Sequence, residues 1–191
     1  MATTNKVFDR QPENRSFLSP VGFKFILANY PKVDFMCNEA NLPSITMGTA
    51  IQPTYLKDID VPGDKIDYED FTLRFLVDEN MENYMEIHNW MRGLGYPESL
   101  QEIDDLKEDA EYNPNTVKNS DIQYYSDGTL QILNSNQLPR FNVKFYNMFP
   151  VSLSTLTFDA TQTDINYFTA QVTFKYTIFD IEDMFGTRVW I

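Results

Sequence analysis

Apolar and polar residues alternate one by one in at least five stretches of this chain. A side chain that changes sides at every residue belongs to a β-strand with one buried and one wet face. Phe23, Phe25 and Leu27 alternate around Lys24; Val33, Phe35 and Cys37 alternate with Asp34; Phe71, Leu73, Phe75 and Val77 alternate with Thr72 and Arg74. The rhythm returns at Phe141, Val143 and Phe145, and again at Ala170, Val172, Phe174, Tyr176 and Ile178. Further strands are expected at 51–59, 130–133 and 153–158. Asn29-Tyr30-Pro31-Lys32 reads as a turn making the first two strands an N-terminal hairpin, because Pro presets φ and Asn tolerates the left-handed region. Val61-Pro62-Gly63-Asp64 reads as a second turn, so that 47–64 forms a long excursion before the strand at Phe71.

One segment departs from this rhythm. Between 81 and 94 the residues Met81, Tyr84, Met85, Ile87, His88, Trp90, Met91 and Leu94 fall at spacings of three and four, which gather on one helical face. Asp78 or Asn80 is the expected cap, and Gly95 with Pro97 marks the end. Beyond it, residues 98–112 hold seven acids against Lys107, and so carry −6 of the chain's net −13. Asn113-Pro114-Asn115 stops any helical turn there, so 98–128 reads as an exposed inserted loop.

The charge balance excludes one class of function. With 28 Asp and Glu against 15 Lys and Arg, the chain lacks the positive surface that grips phosphate or anionic lipid. No stretch approaches the roughly 18 apolar residues of a membrane span, and the chain opens on polar sequence without a signal-like apolar run. A soluble protein of a reducing compartment is therefore expected. A single cysteine, Cys37, and a single histidine, His88, leave no disulfide and no His/Cys metal set within one chain. His88 is expected to pack on the helix face and Cys37 to fill the core as a small hydrophobe.

Catalytic and metal-binding patterns fit these residues poorly. Asp58, Asp60, Gly63 and Glu69 fit four positions of a calcium loop, but Pro62 supplies no side-chain oxygen, Lys65 replaces the usual aliphatic, and the flanks are strands. Paired acids such as Asp104/Asp105 and Glu108/Asp109 would suit a glycosidase, but in a loop they read as solvated surface. No nucleophile elbow or phosphate-binding glycine loop is present. The expectation is a protein that is not an enzyme and takes no cofactor or metal.

Alternating strands with one helix describe a mainly β protein, a β-sandwich or partly closed β-barrel with one packed helix at about 80–94. Such sheets have edges, and identical subunits can join edges into a closed ring. A lone β-sandwich binding module that stays monomeric is the competing reading, and a hydrolase with a deep acidic pocket is a third.

Several motifs recur in a recognisable order. They are Val33-Asp34-Phe35-Met36-Cys37 running into Asn41-Leu42-Pro43, then Ile59-Asp60-Val61-Pro62-Gly63-Asp64, Phe71-Thr72-Leu73-Arg74-Phe75, Asp78-Glu79 leading into the helix with Trp90, and Phe149-Pro150 before the last strands. In this order they resemble the tail tube proteins of contractile-tailed bacteriophages and, more distantly, the haemolysin-coregulated ring proteins of type VI secretion. The likeness spans about 20–97 and 129–180. It leaves an N-terminal arm at 1–19 and a tail at 182–191 outside one tube-fold domain at 20–181, which carries the acidic insertion at about 98–128.

The resemblance implies a structural virion protein of the tail, assembled in the host cytoplasm, whose six-membered rings stack around a lumen that passes the genome without specific DNA binding. It implies sheath and baseplate proteins as partners. A subunit at the tube–baseplate junction, which initiates or caps the tube, is the nearest alternative. It also implies an aromatic-Pro turn at Phe149-Pro150 and a terminal hairpin. Turn signals bound 47–63 and the segment carries Ile51 and Tyr55 without a helical partner, so Met47, Ile51, Tyr55, Pro62 and Gly63 are candidates for an extended loop or hairpin contacting the next ring. Glu102, Asp104, Asp105, Glu108 and Asp109 are candidates for an acidic loop interface.

Overall fold

The computed structural model describes residues 17–30, 36–99, 101–102, 124–159, 161, 167–184 and 186–188. In chain order the elements are β1 (Phe23–Leu27), β2 (Cys37–Ala40), β3 (Ile45–Gln52), β4 (Ile59–Tyr68), β5 (Phe71–Leu76), α1 (Glu82–Gly95), β6 (Ser126–Leu133), β7 (Pro139–Leu153), β8 (Thr169–Lys175) and β9 (Ile178–Asp183). The protein is mainly β, and every ladder is antiparallel.

β7 organises the whole. Its first half lies between β6 and β9, and its second half pairs with β8. One path of strands, β1-β6-β7-β8-β5-β2, thus bends through β7 into two facing halves. No ladder joins β1 to β2 among the described residues, so the sheets do not close into a barrel. The bend is built locally. Asn147 adopts φ 55, a left-handed value that Asn tolerates better than most residues. Its backbone N–H donates to Asp127 Oδ1 at 3.1 Å, and the Thr177 N–H donates to the Tyr146 carbonyl at 3.0 Å. The adjoining strands break at the same level, β6 by a register shift between Ser126 and Gly128 and the β8–β9 run at Tyr176-Thr177.

The core lies between the two halves. Phe25, Leu27, Phe71, Leu73, Phe75, Val143, Phe145, Ala170, Val172 and Phe174 are all buried, as the alternation requires. Phe71 joins the halves, its ring 5.2 Å from Phe25 and 4.6 Å from Phe145. Gly128 opposes Phe145 in the β6–β7 ladder, where a Cβ would run into the Met148 sulfur and the Phe25 ring. α1 packs Ile87 and Trp90 onto this core; Trp90 stacks on Tyr30 at 4.5 Å and approaches Phe174 at 6.1 Å.

Several expectations need correction. β1 pairs with β6 and β2 with β5, so the described residues form no N-terminal hairpin; 31–35, where its turn and second strand were expected, lie outside the described residues. The terminal hairpin is present as β7 against the β8–β9 run, but Phe149-Pro150 lies within β7 instead of turning. β7 ends at Leu153, and 154–159 form no strand. The break at 176–177 flips the alternation, which turns Ile178 outward and buries Phe179.

The helix departs from its predicted details as well. Neither Asp78 nor Asn80 caps it; Met81 holds the cap position at φ 56 without a side-chain bond. Buried Asn83 closes the entry instead, donating to the Leu76 carbonyl at 2.8 Å and accepting the Asp78 N–H at 3.2 Å. Met85 and His88 face solvent because only Ile87, Trp90 and their neighbours three or four residues away meet the sheet. Cys37 is half-buried against the core.

Candidate functional site

β3 and β4 form a two-stranded sheet of their own. The expected strand at 51–59 is two strands joined by a turn at 53–58, and the expected turn at 61–64 is the interior of β4. Thr54 makes the real turn: its hydroxyl accepts the Lys57 N–H at 3.3 Å and donates to the Lys57 carbonyl. Pro62 is tolerated inside β4 because one side of each strand has no partner and requires no N–H. It faces Thr49 beside a register shift between Met47 and Thr49. At that shift a Cβ on Gly63 would strike the Gly48 carbonyl oxygen, so the two backbones approach too closely for any other residue.

The ribbon is anchored at one end. The Glu69 N–H donates to the Ser44 carbonyl at 3.1 Å, and the Ser44 hydroxyl donates to Glu69 Oε2 at 2.8 Å. The Tyr176 hydroxyl donates to the Glu69 carbonyl at 2.8 Å, and the Tyr68 ring lies 5.5 Å from Phe179. Burial, followed by the nearby Tyr68, Asp70 and Glu69, raises the Tyr176 pKa from 10.0 to about 12. Beyond this anchor every residue of β3 is exposed. Ten residues of β4 at about 3.3 Å each carry the ribbon on the order of 30 Å.

Register gathers most of the ribbon's apolar residues on one face, while Val61 and Ile59, opposite Ala50 and Gln52, stand on the other. Ile45 opposes Tyr68, Met47 opposes Ile66, Thr49 opposes Pro62 and Ile51 opposes Asp60, and opposed residues share a face. Met47, Ile51 and Pro62 therefore come together with Ile45 and Ile66, while Tyr55 stands at the tip and Gly63 at the bulge. Ile51 is 65% exposed and Tyr55 fully exposed. Ile45, Leu56 and Ile66 were missed by sequence reading. The signal was the alternation Asp60, Pro62, Asp64, Ile66, Tyr68, which a Pro-Gly pair obscures. A two-stranded ribbon is marginal alone, and its apolar face and open edges present what a partner strand or surface covers.

Of the acidic candidates only Glu102 lies among the described residues; Asp104, Asp105, Glu108 and Asp109 lie outside them. Arg92, in the last turn of α1, binds Glu102 through Nε and Glu98 through Nη2, both at 2.5 Å. Burial pushes the Glu102 carboxyl up, but the hydrogen bonds from Arg92 and from backbone outweigh it and leave the group below its usual 4.5. Among the described residues no cluster of three His, Cys, Asp or Glu is placed to hold a metal, and no helix is long and apolar enough to cross a membrane.

An antiparallel double sheet that bends through one strand, packs one helix and extends a two-stranded ribbon defines a mainly β fold. The sequence profile of the phage tail tube proteins matches residues 6–182, and the chain belongs to that family. Solved structures share the fold. A chain in the anti-feeding prophage cap, the tube-terminating cap, superimposes with TM-score 0.59 at 15% identity, covering 93% of this chain and 98% of that one. A chain in the anti-feeding prophage baseplate gives 0.55 at 11% identity, covering 91% and 97%. A chain in the extended PVC sheath–tube complex, an extracellular contractile injection system, gives 0.51 at 16% identity, covering 96% and 100%. No curated protein matches the chain.

Proposed function

We propose that the chain is a tube subunit that forms six-membered rings stacked into a hollow tail tube, with the β3–β4 hairpin reaching the next ring. The observation that carries this reading is the hairpin itself: a ribbon whose apolar face has no cover among the described residues, in a member of the tail tube family. Open sheet edges on the same body supply surfaces for joining subunits around the ring. The single domain at 20–181 does this work, with the 1–19 arm, the 98–128 insertion and the 182–191 tail as additions. Sheath and baseplate proteins are the partners, the virion tail is the location and the host cytoplasm the place of assembly. A net charge of −13 suits a bore through which DNA slides, since acidic walls repel phosphate and make no counterion-releasing contacts. The role is structural and involves no catalysis.

Electron microscopy of the purified protein tests this reading. Replacing 47–64 by a short Gly-Ser turn is expected to leave single rings and abolish tubes; normal tubes from that variant would sink the proposal. Neutralising Glu102, Asp104, Asp105, Glu108 and Asp109 together alters tube length if the acidic loop is an interface, and an unchanged length distribution assigns it to solvated surface. A junction subunit that initiates or caps the tube is the second reading, favoured by the likeness to the anti-feeding prophage cap structure. It predicts that the wild-type chain stops at one ring at any concentration.

A further inference from the structure

Elsewhere on the same chain lies an apolar groove of about 590 Å³, a size that can enclose bulky side chains. Its walls are Leu76 at the end of β5, Met36 before β2, and Leu156, Phe158 and Phe168 from the connection between β7 and β8. The Val77 N–H donates to the Phe168 carbonyl at 2.8 Å, and the Phe158 and Phe168 rings meet at 4.7 Å, so the walls are tied together. Phe158 is nonetheless 73% exposed. Asp78 and Glu79 supply the charged part of the lining.

The hairpin tip is the complement of this groove. Tyr55 and Leu56 are 101% and 92% exposed, so the tip does not fold back into the groove of its own chain. Lys57 follows them, and the Thr54–Lys57 hydrogen bonds hold the turn in one shape before any contact, which lowers the cost of ordering it. We propose that Tyr55 and Leu56 of one copy seat in this groove on a second copy, with Lys57 set against Asp78 and Glu79. Asp58 offsets part of the tip's charge, so the apolar insertion supplies the binding and the charge pairing fixes its register. Tip and groove are different patches, which makes the contact heterologous: it propagates from copy to copy instead of closing as a two-fold dimer. The proposal rests on the reading of the hairpin as the contact between rings, and assigns the groove as its receptor.

Disulfide trapping tests it on the full chain. In a Cys37→Ser background, Leu56→Cys combined with Phe158→Cys is expected to give a ladder of covalent oligomers when assembled protein is oxidised, while each single variant gives dimers at most. Tubes without a ladder, or an intrachain disulfide alone, overturn the proposal. Lys57→Glu is expected to raise the concentration needed for assembly about tenfold, and adding Glu79→Lys to restore it; failure of that rescue also counts against the pairing. The hairpin deletion separates the two claims. If it abolishes stacking while Phe158→Asp stacks normally, the hairpin contact stands and the groove is not its receptor. If the deletion itself stacks normally, both fall.

Discussion

β5 and β3 each set three large apolar residues on one face and meet opposite fates. Phe71, Leu73 and Phe75 of β5 are wholly buried, whereas Ile45, Met47 and Ile51 of β3 are each more than half exposed. β5 is flanked by β2 and β8 and covered by the facing half of the sheet; among the described residues β3 pairs with β4 alone. Alternation records that one face will be covered, without saying by which molecule. In the core the cover comes from the chain's own facing sheet, and on the hairpin no described residue supplies it.

Substitutions can break or sharpen this contrast. The largest effect is expected in the core, where Phe145 packs against Phe71, Tyr176 and Phe179. Phe145→Ala is expected to cost about 3–5 kcal/mol in urea unfolding of the unassembled protein. Its counterpart Ile51→Ala is expected to leave that value within about 0.5 kcal/mol while impairing tube formation. A large loss of stability from Ile51→Ala would mean that the hairpin is already covered within its own chain.

Glycines give a second, smaller contrast. Gly128→Ala drives a methyl into the Met148 and Phe25 contact and is expected to cost about 1–3 kcal/mol by the same assay. Gly63→Ala strains the hairpin alone, so the global unfolding transition stays in place while the amides of β3 and β4 exchange faster with deuterium.

The seam between the two regions responds to pH. Tyr176 ionises at about 12 in the folded chain against 10.0 ordinarily, so the unfolded chain loses its proton first as pH rises. Stability from this group is complete below pH 10 and is lost between pH 10 and about 12. Lys144, raised above 10.5 by its hydrogen bond to Glu182, loses its contribution on the same limb. Tyr176→Phe is therefore expected to reduce the alkaline loss without abolishing it, and to cost about 1 kcal/mol at neutral pH through the missing bond to Glu69. The smallest effect is at the helix end. Glu102, held below 4.5, contributes stability above that value and loses it as pH falls; Arg92→Gln should move its NMR titration back toward 4.5.

The core was legible in the sequence because strand alternation maps directly onto inward positions: Phe25, Leu27, Phe71, Leu73, Phe75, Val143, Phe145, Val172 and Phe174 needed no tertiary knowledge. Pairing was not, since β1 meets β6 across about a hundred residues and no local signal names a distant partner. Turn chemistry misled twice. Pro62-Gly63 and Phe149-Pro150 read as turns, but the first sits where an outer strand edge needs no N–H and the second lies just past the Asn147 bend in β7. At the candidate site, Met47, Ile51, Tyr55, Pro62 and Gly63 were marked in advance. The common face of Met47, Ile51 and Pro62 emerged only with the β3–β4 register, because a bulge at Gly48 and Gly63 sets which residues oppose.

Hydrogen–deuterium exchange across a concentration series tests the central claim most directly. In dilute, unassembled protein the amides of β3 and β4 are expected to exchange far faster than those of β5, β7 and β8. On assembly the hairpin amides become protected while the core amides stay as they were. Hairpin amides that exchange equally fast before and after assembly, with tubes visible in the same sample, would contradict the account.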